Sequence, residues 1–196
     1  IICDDDRVDL SNLNRQFIYQ EANVGQPKTQ AAKQFIQGLN SDVTIELRYE
    51  TMSEESLTEI LSQCDILLDC SDQFNTRLAG AKAFLNRIPH IFGGAVRFDG
   101  QMASFMAGVE GYEESACFAC LFSEDAGVRQ APNCAQAGIL APVTSIIGTL
   151  QALETIKWIT KAGTLNSNRL LLFDGLSGSF TSIQTGKKDK CSICSK

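Results

Sequence analysis

The stretch Ile66-Leu67-Leu68-Asp69-Cys70-Ser71-Asp72 sets three apolar residues directly before a segment that carries two carboxylates. A short, wholly apolar run of this kind reads as a buried parallel strand with the acids at its carboxyl end. The pattern also occurs upstream, where Ile1–Cys3 runs into Asp4-Asp5-Asp6, and downstream, where Ile91-Phe92 runs into Gly93-Gly94. Between these runs the spacing is helical. Gly25-Gln26-Pro27 opens a helix with Pro27 at its first turn, and Ala31, Ala32, Phe35, Ile36 and Leu39 form its apolar face. Val43–Leu47 alternates as a strand. Ser53 caps a second helix that turns Leu57, Ile60 and Leu61 inward. Phe74, Leu78, Ala81 and Leu85 mark a third helix. Asp9–Gln16 is polar, a loop or short helix. The first half therefore reads β-α-β-α-β-α-β, a parallel sheet with right-handed crossovers. Ligands of such sheets bind beyond the carboxyl ends of the strands, so Asp4–Asp6, Asp69–Asp72 and Gly93-Gly94 are expected on one rim.

The second half changes character. Gln101–Met106 reads as a strand and Ser115–Pro132 as a long irregular segment. Ala141–Lys161 is a strongly apolar helix. Arg169–Asp174 and Ser179–Gln184 form a hairpin around Gly175–Gly178. The expected class is α/β: a Rossmann-like, mainly parallel sheet with flanking helices, antiparallel C-terminal strands and a four-cysteine zinc site. Residues 1–196 are expected to form a single domain. The start without Met, inside a strand, suggests a piece of a longer chain.

Composition narrows the function. The chain has 196 residues and a net charge of −6. That balance argues against nonspecific nucleic-acid binding and against an anionic membrane surface, both of which need clustered Lys and Arg. No apolar run approaches the roughly 20 residues of a membrane helix, and no signal peptide is visible. The eight cysteines, without a secretory signal, point to thiols or metal ligands in a reducing cytoplasmic setting.

Cys117-Phe118-Ala119-Cys120 and Cys191-Ser192-Ile193-Cys194 are both C-x2-C. Two such turns make a tetrahedral four-thiolate site suited to Zn²⁺, and a closed thiolate shell is structural. The alternatives are two local disulfides or thiols in the core. Asp4 is placed to take ribose hydroxyls. Asn12, Arg15 and Lys28, just downstream, are placed to reach triphosphate oxygens. From composition alone, an acidic turn beside surface cations is the favoured account of them, since charged residues are mostly exposed. Asp72 either holds Mg²⁺ on nucleotide phosphates or caps a helix; of the pair Asp69 and Asp72, one can cap while the other binds metal. Cys134, in the loop Ala131–Ala135, is a nucleophile, a redox thiol or neither. Cys3, Cys64 and Cys70 adjoin apolar runs and read as packing residues, and His90, the one histidine, as a structural residue at a strand start.

Taken together and in this order, several stretches resemble the ThiF/MoeB/HesA family, bacterial relatives of ubiquitin-activating enzymes. They are Asp4–Gln16, Gly25-Gln26-Pro27-Lys28, Leu68–Asp72, Gly138–Pro142, Gly148–Glu154 and the two cysteine pairs. The resemblance implies ATP-dependent adenylylation of the C-terminal Gly-Gly carboxylate of a ubiquitin-like sulfur carrier. It implies that Asp4 binds the ribose, that Ser11, Asn12, Leu13, Asn14 and Arg15 contact phosphates, and that Lys28 neutralises the triphosphate. Asp72, beside Gln73 where the family has Asn, then holds Mg²⁺, and Cys134 matches a cysteine of the sulfur relay or of a covalent link to the carrier. Within the family, Cys3–Asp6, Asn133-Cys134 and Leu172–Gly175 look closer to ThiF, the thiamine-pathway member. The carrier is then ThiS-like, or alternatively the MoaD-like molybdopterin-synthase carrier. The sulfur donor would resemble a cysteine desulfurase, and the assembly would be a homodimer. The family's Gly-rich phosphate loop and an N-terminal arginine are missing here, which leaves a noncatalytic scaffold as an alternative. An NAD-dependent oxidoreductase of similar fold is another. The breadth of the apolar surface on Ala141–Lys161 (Val143, Ile146, Ile147, Leu150, Leu153, Ile156, Trp158, Ile159) fits a helix buried on two sides, by its own sheet and by a second subunit.

Overall fold

The computed structural model describes residues 1–73, 76–77, 80–122 and 138–195, which fall into two compact units, Ile1–Ser53 and Glu54–Lys196. In the first unit β1 (Ile2–Cys3) pairs in parallel with β2 (Leu47–Arg48). A 3-10 turn at Leu10–Asn12 and the helix α1 (Lys28–Leu39) lie between them. The strand expected over Val43–Leu47 shrinks to its end, because β1 offers only two residues to pair with. Ala31 and Ala32 are buried as expected, but Leu39, the last helical residue, is exposed.

The second unit contains α2 (Glu54–Leu61), β3 (Leu67–Asp69), a 3-10 helix at Ala81–Asn86, β4 (His90–Val96) and β5 (Asp99–Phe105). It continues with α3 (Phe118–Leu121), α4 (Ala141–Thr160), β6 (Arg169–Asp174) and β7 (Ser179–Gln184). Leu57, Ile60 and Leu61 of α2 are buried, as their spacing required. Phe74 and Leu78 lie outside the described residues. Ala81 is buried and Leu85 exposed, because a 3-10 helix has three residues per turn and turns Phe84, not Leu85, to the face of Ala81.

The five strands run in the order β3-β4-β5-β6-β7. Only β3 and β4 are parallel; the other three pairings are antiparallel. The expected mainly parallel sheet is thus a mixed one. The difference arises at Gly93-Gly94, which do not end a strand. They sit inside β4, which runs on to Val96 and folds straight back into β5 through Arg97 and Phe98. Arg97 adopts the left-handed conformation that this tight reversal needs, with φ at 53°.

The glycines are explained by what lies above them. A Cβ on Gly93 would stand 2.4 Å from the Gln151 side chain, and one on Gly100 would stand 2.6 Å from Ile147. Both glycines let α4 lie directly on the sheet. Val143, Ile147 and Phe173 fill that interface. The opposite face carries Phe92, Ala103 and Phe105 against Phe118 and the four cysteines. Period-two alternation along β4 and β5 thus serves two separate cores. No helix among the described residues is long and apolar enough to cross a membrane.

Gly93→Ala should lower stability by about 1–3 kcal/mol, the usual cost of forcing atoms into a packed interface. A denaturant midpoint unchanged from wild type would show that α4 yields freely.

Candidate functional site

In the first unit the chain leaves β1 at Asp4. The Asp6 N–H donates to Asp4 Oδ1 at 2.8 Å. Burial raises the Asp4 carboxyl above its ordinary value, against the pull of that N–H and of Lys28. Lys28 begins α1, is only 8% exposed, and places its Nζ 2.6 Å from Asp6 Oδ2. Its backbone N–H also donates to the Asp6 carbonyl at 2.9 Å. The cation is therefore tied twice to the acidic turn. Tyr19 lies near enough to feel Asp4: burial first, then that carboxylate, push its hydroxyl up to about 12.

Between these groups runs the polar turn. Asp9 accepts from the Ser11 N–H, and Asn12 Oδ1 accepts from the Asp9 N–H at 3.1 Å, so the two residues cap the 3-10 turn reciprocally. Asn12 is buried, and its carbonyl oxygen is occupied by this cap. Arg15 donates to the Ser11 carbonyl at 3.2 Å and to Asn14 Oδ1 at 3.0 Å, which folds its guanidinium back over the turn. Leu13 is the C-cap of the turn.

In the second unit β3 ends at Asp69, and Ser71, Asp72 and Gln73 follow. Asp69 is buried. Its Oδ2 lies 3.1 Å from His90 Nε2, and its Oδ1 accepts from Ser71 N–H at 3.0 Å and Ser71 Oγ at 2.8 Å. Burial would raise this carboxyl, but the His90 and Ser71 bonds prevail and hold it below its ordinary value. His90 stands at the start of β4. Asp72 and Gln73 are exposed. Among the described residues Asp72 joins no cluster of metal-ligating side chains. A lone carboxylate suits Mg²⁺, which keeps waters and takes phosphate oxygens as its other ligands. Cys70, expected as a packing residue, is exposed just past the strand, with its Sγ 3.6 Å from Gln151 Oε1. Cys134 lies outside the described residues.

Two polar residues of α4 escaped the reading of the sequence. Gln151 and Glu154 are buried. Gln151 Nε2 donates to the Asp69 and Ile91 carbonyls, both at 3.0 Å, and so bridges β3 and β4. Glu154 accepts from Ser104 Oγ at 2.8 Å and from the Asn166 N–H at 2.7 Å, and it pairs with Lys157. The signal was present. Val143, Ile147, Gln151 and Glu154 follow helical spacing, so the two polar residues share the face of the two apolar ones.

The four knuckle cysteines meet. The sulfurs of Cys117 and Cys120 are 3.9 Å apart, those of Cys117 and Cys191 3.6 Å, and those of Cys120 and Cys194 3.5 Å. Disulfide sulfurs would be about 2.05 Å apart. Zinc–sulfur bonds of about 2.3 Å place the corners of a tetrahedron roughly 3.8 Å apart, which fits these separations. The bond with Cys117 lowers the Cys120 thiol to about 4, and the same contact raises Cys117; burial lifts Cys194 to about 12. Four thiols so close cannot all ionise without a cation among them, and the donor set suits Zn²⁺. Zinc there would be structural. Metal analysis of protein purified without chelator should find about one zinc per chain. A substoichiometric value would defeat the assignment.

The ThiF family profile matches residues 1–194. "Adenylyltransferase and sulfurtransferase MOCS3" of Caenorhabditis briggsae is 36% identical over 195 residues, covering 98% of this chain and 48% of that protein. "Sulfur carrier protein adenylyltransferase" of Thermus thermophilus is 35% identical over 190 residues, covering 96% of this chain and 70% of that protein. The chain thus spans about half the length of the MOCS3 relatives. Among solved structures, E. coli MccB crystallised with ATP shares the fold, with a TM-score of 0.81 at 22% identity over 99% of this chain and 59% of that one. On the strength of the match along nearly all its length, this chain belongs to the ThiF family.

Proposed function

We propose that the protein adenylylates the C-terminal carboxylate of a ubiquitin-like sulfur carrier at the expense of ATP. The observation that carries this reading is the family match over residues 1–194, with relatives named as adenylyltransferases. The carrier's carboxylate attacks the α-phosphorus of ATP and pyrophosphate leaves, giving an acyl-adenylate. A carboxylate is already nucleophilic, so the enzyme's part is positioning and charge neutralisation. Asp4 takes the ribose, the turn Ser11–Arg15 contacts phosphates, and Lys28 faces the triphosphate. Asp72, next to Gln73, holds Mg²⁺, which would neutralise phosphate charge. Cys117, Cys120, Cys191 and Cys194 hold zinc. Cys134 acts after adenylation, in sulfur transfer from a donor such as a cysteine desulfurase. Of the two carriers considered, the MOCS3 relatives favour the molybdopterin-synthase type over the thiamine type.

ATP–pyrophosphate exchange in the full-length protein tests the assignment. Asp72→Ala should remove most carrier-dependent exchange, and Lys28→Ala should lower it on the order of 10²-fold. Near-normal exchange in either variant refutes the role given to that residue. Cys134→Ala should leave exchange intact and block the later transfer.

The same reading includes a homodimer. On α4, Val143 and Ile147 are buried by the sheet, whereas Leu153, Ile156 and Ile159 are 50%, 56% and 67% exposed. Those three lie along one stripe with the exposed Gly148 and Ala152. A second subunit would cover this stripe. Light scattering at micromolar concentration should give twice the mass of one chain, and Ile156→Glu should halve it. A wild-type mass of one chain would rule the dimer out.

A further inference from the structure

The turn that delivers Asp72 is held from every side by groups the proposed chemistry does not use. The Ser71 N–H and Oγ both donate to Asp69 Oδ1, at 3.0 and 2.8 Å. The Ser71 carbonyl accepts from Arg77 Nε at 2.8 Å and also from Arg77 Nη2. The Arg77 guanidinium lies over the Phe92 ring, 5.0 Å from its centroid. The Asp69 carbonyl is fixed by Gln151 at 3.0 Å, and its second carboxylate oxygen by His90 at 3.1 Å. Ser71, the residue before Asp72, is thereby held at its N–H, its hydroxyl and its carbonyl.

His90 is the least expected member of this set. It is 1% exposed, among Phe105 and Phe118. Its Nδ1 is buried, with no hydrogen-bond partner among the described residues. An imidazole placed only to fill an aromatic core would be replaced without loss by an apolar side chain, which orphans no nitrogen. This one has a single polar partner among the described residues, Asp69. Asp69, in turn, spends its other oxygen on both donors of Ser71. The buried pair therefore does one thing beyond filling space: it sets the direction in which the chain leaves β3.

We propose that His90 is a positioning residue for Asp72, acting through Asp69 and Ser71 to hold the carboxylate where nucleotide-bound Mg²⁺ needs it. The proposal rests on the Mg²⁺ role given above to Asp72. Outer groups that orient a metal-binding side chain typically contribute 10–100-fold to affinity or activity. His90 touches neither nucleotide nor metal, so its effect must appear in the Mg²⁺ dependence.

The test uses His90→Leu, which removes the donor, and His90→Gln, which keeps one. Pyrophosphate exchange is titrated with Mg²⁺, and exchange of the Ser71 amide hydrogen is followed by NMR. His90→Leu should raise the Mg²⁺ concentration for half-maximal exchange about tenfold and speed loss of the Ser71 amide proton by about the same factor. His90→Gln should restore both. If His90→Leu does not fold, Ser71→Ala loosens the same turn without stranding a buried charge, and a raised Mg²⁺ requirement is expected there too. A lower melting temperature with unchanged Mg²⁺ dependence would make His90 a core residue only and overturn the proposal. If Asp72→Ala itself leaves the Mg²⁺ dependence unchanged, the underlying assignment of Asp72 fails, and this inference with it. Wild-type Mg²⁺ dependence in His90→Leu, with Asp72→Ala impaired, would sink the inference alone.

Discussion

A helix of one turn cannot hold itself together in water, because nucleation costs more than a single hydrogen bond returns. Yet Phe118–Leu121 is such a helix, and Phe118 closes the aromatic core against Phe92, Phe105 and Phe122. What holds it is the sulfur cluster. Cys117 and Cys120 flank Phe118 and meet Cys191 and Cys194, which lie 74 residues further along. One more bond anchors the approach, from the Ala116 N–H to Asn168 Oδ1 at 3.0 Å. A sheet needs cover on each apolar face, and here α4 covers one side while the cysteine module covers the other. The face that carries His90 depends on that module remaining closed.

The other face depends on polar groups inside an apolar contact. Gln151 and Glu154 are costly to bury unless every atom finds a partner. Gln151 takes two strand carbonyls and Glu154 takes a hydroxyl and an N–H. Apolar residues alone would let α4 slide along the sheet at small cost. The directional bonds define one register, and Gly93 is its counterpart on the strand.

How much of this was legible follows from the range of each signal. The hairpin Arg169–Asp174 with Ser179–Gln184, the helix starting at Ala141 and the inward face of α2 rest on local periodicity and were readable to the residue or nearly so. The two C-x2-C pairs were readable because their spacing carries the chemistry. Gly93-Gly94 misled because glycine near a strand locally signals an end, whereas the reason for it, Gln151, stands far along the chain. Misplacing that end hid the β4–β5 hairpin and made the sheet look more parallel than it is. The Asp69–His90 pair was invisible for the same reason: neither residue announces its partner. Leu85 was misassigned because the helical period assumed was 3.6 where the chain adopted a 3-10 turn.

In the function proposed above, the acidic turn after β1 is a site arranged before its ligand arrives. Lys28 has already lost most of its water, while Asp6, its partner, keeps a side chain 66% exposed. A pair so exposed on one side is worth little to folding, commonly under about 1 kcal/mol. The Lys28 amide, bound to the Asp6 carbonyl, keeps the start of α1 in place whether or not the side chains stay paired. In that function, a phosphate oxygen competing for Nζ would meet a desolvated, pre-positioned cation and displace a weakly held, well-solvated carboxylate. Most of the cost of orienting the cation is borne by the fold, which is the condition under which one charge contributes most to a transition state.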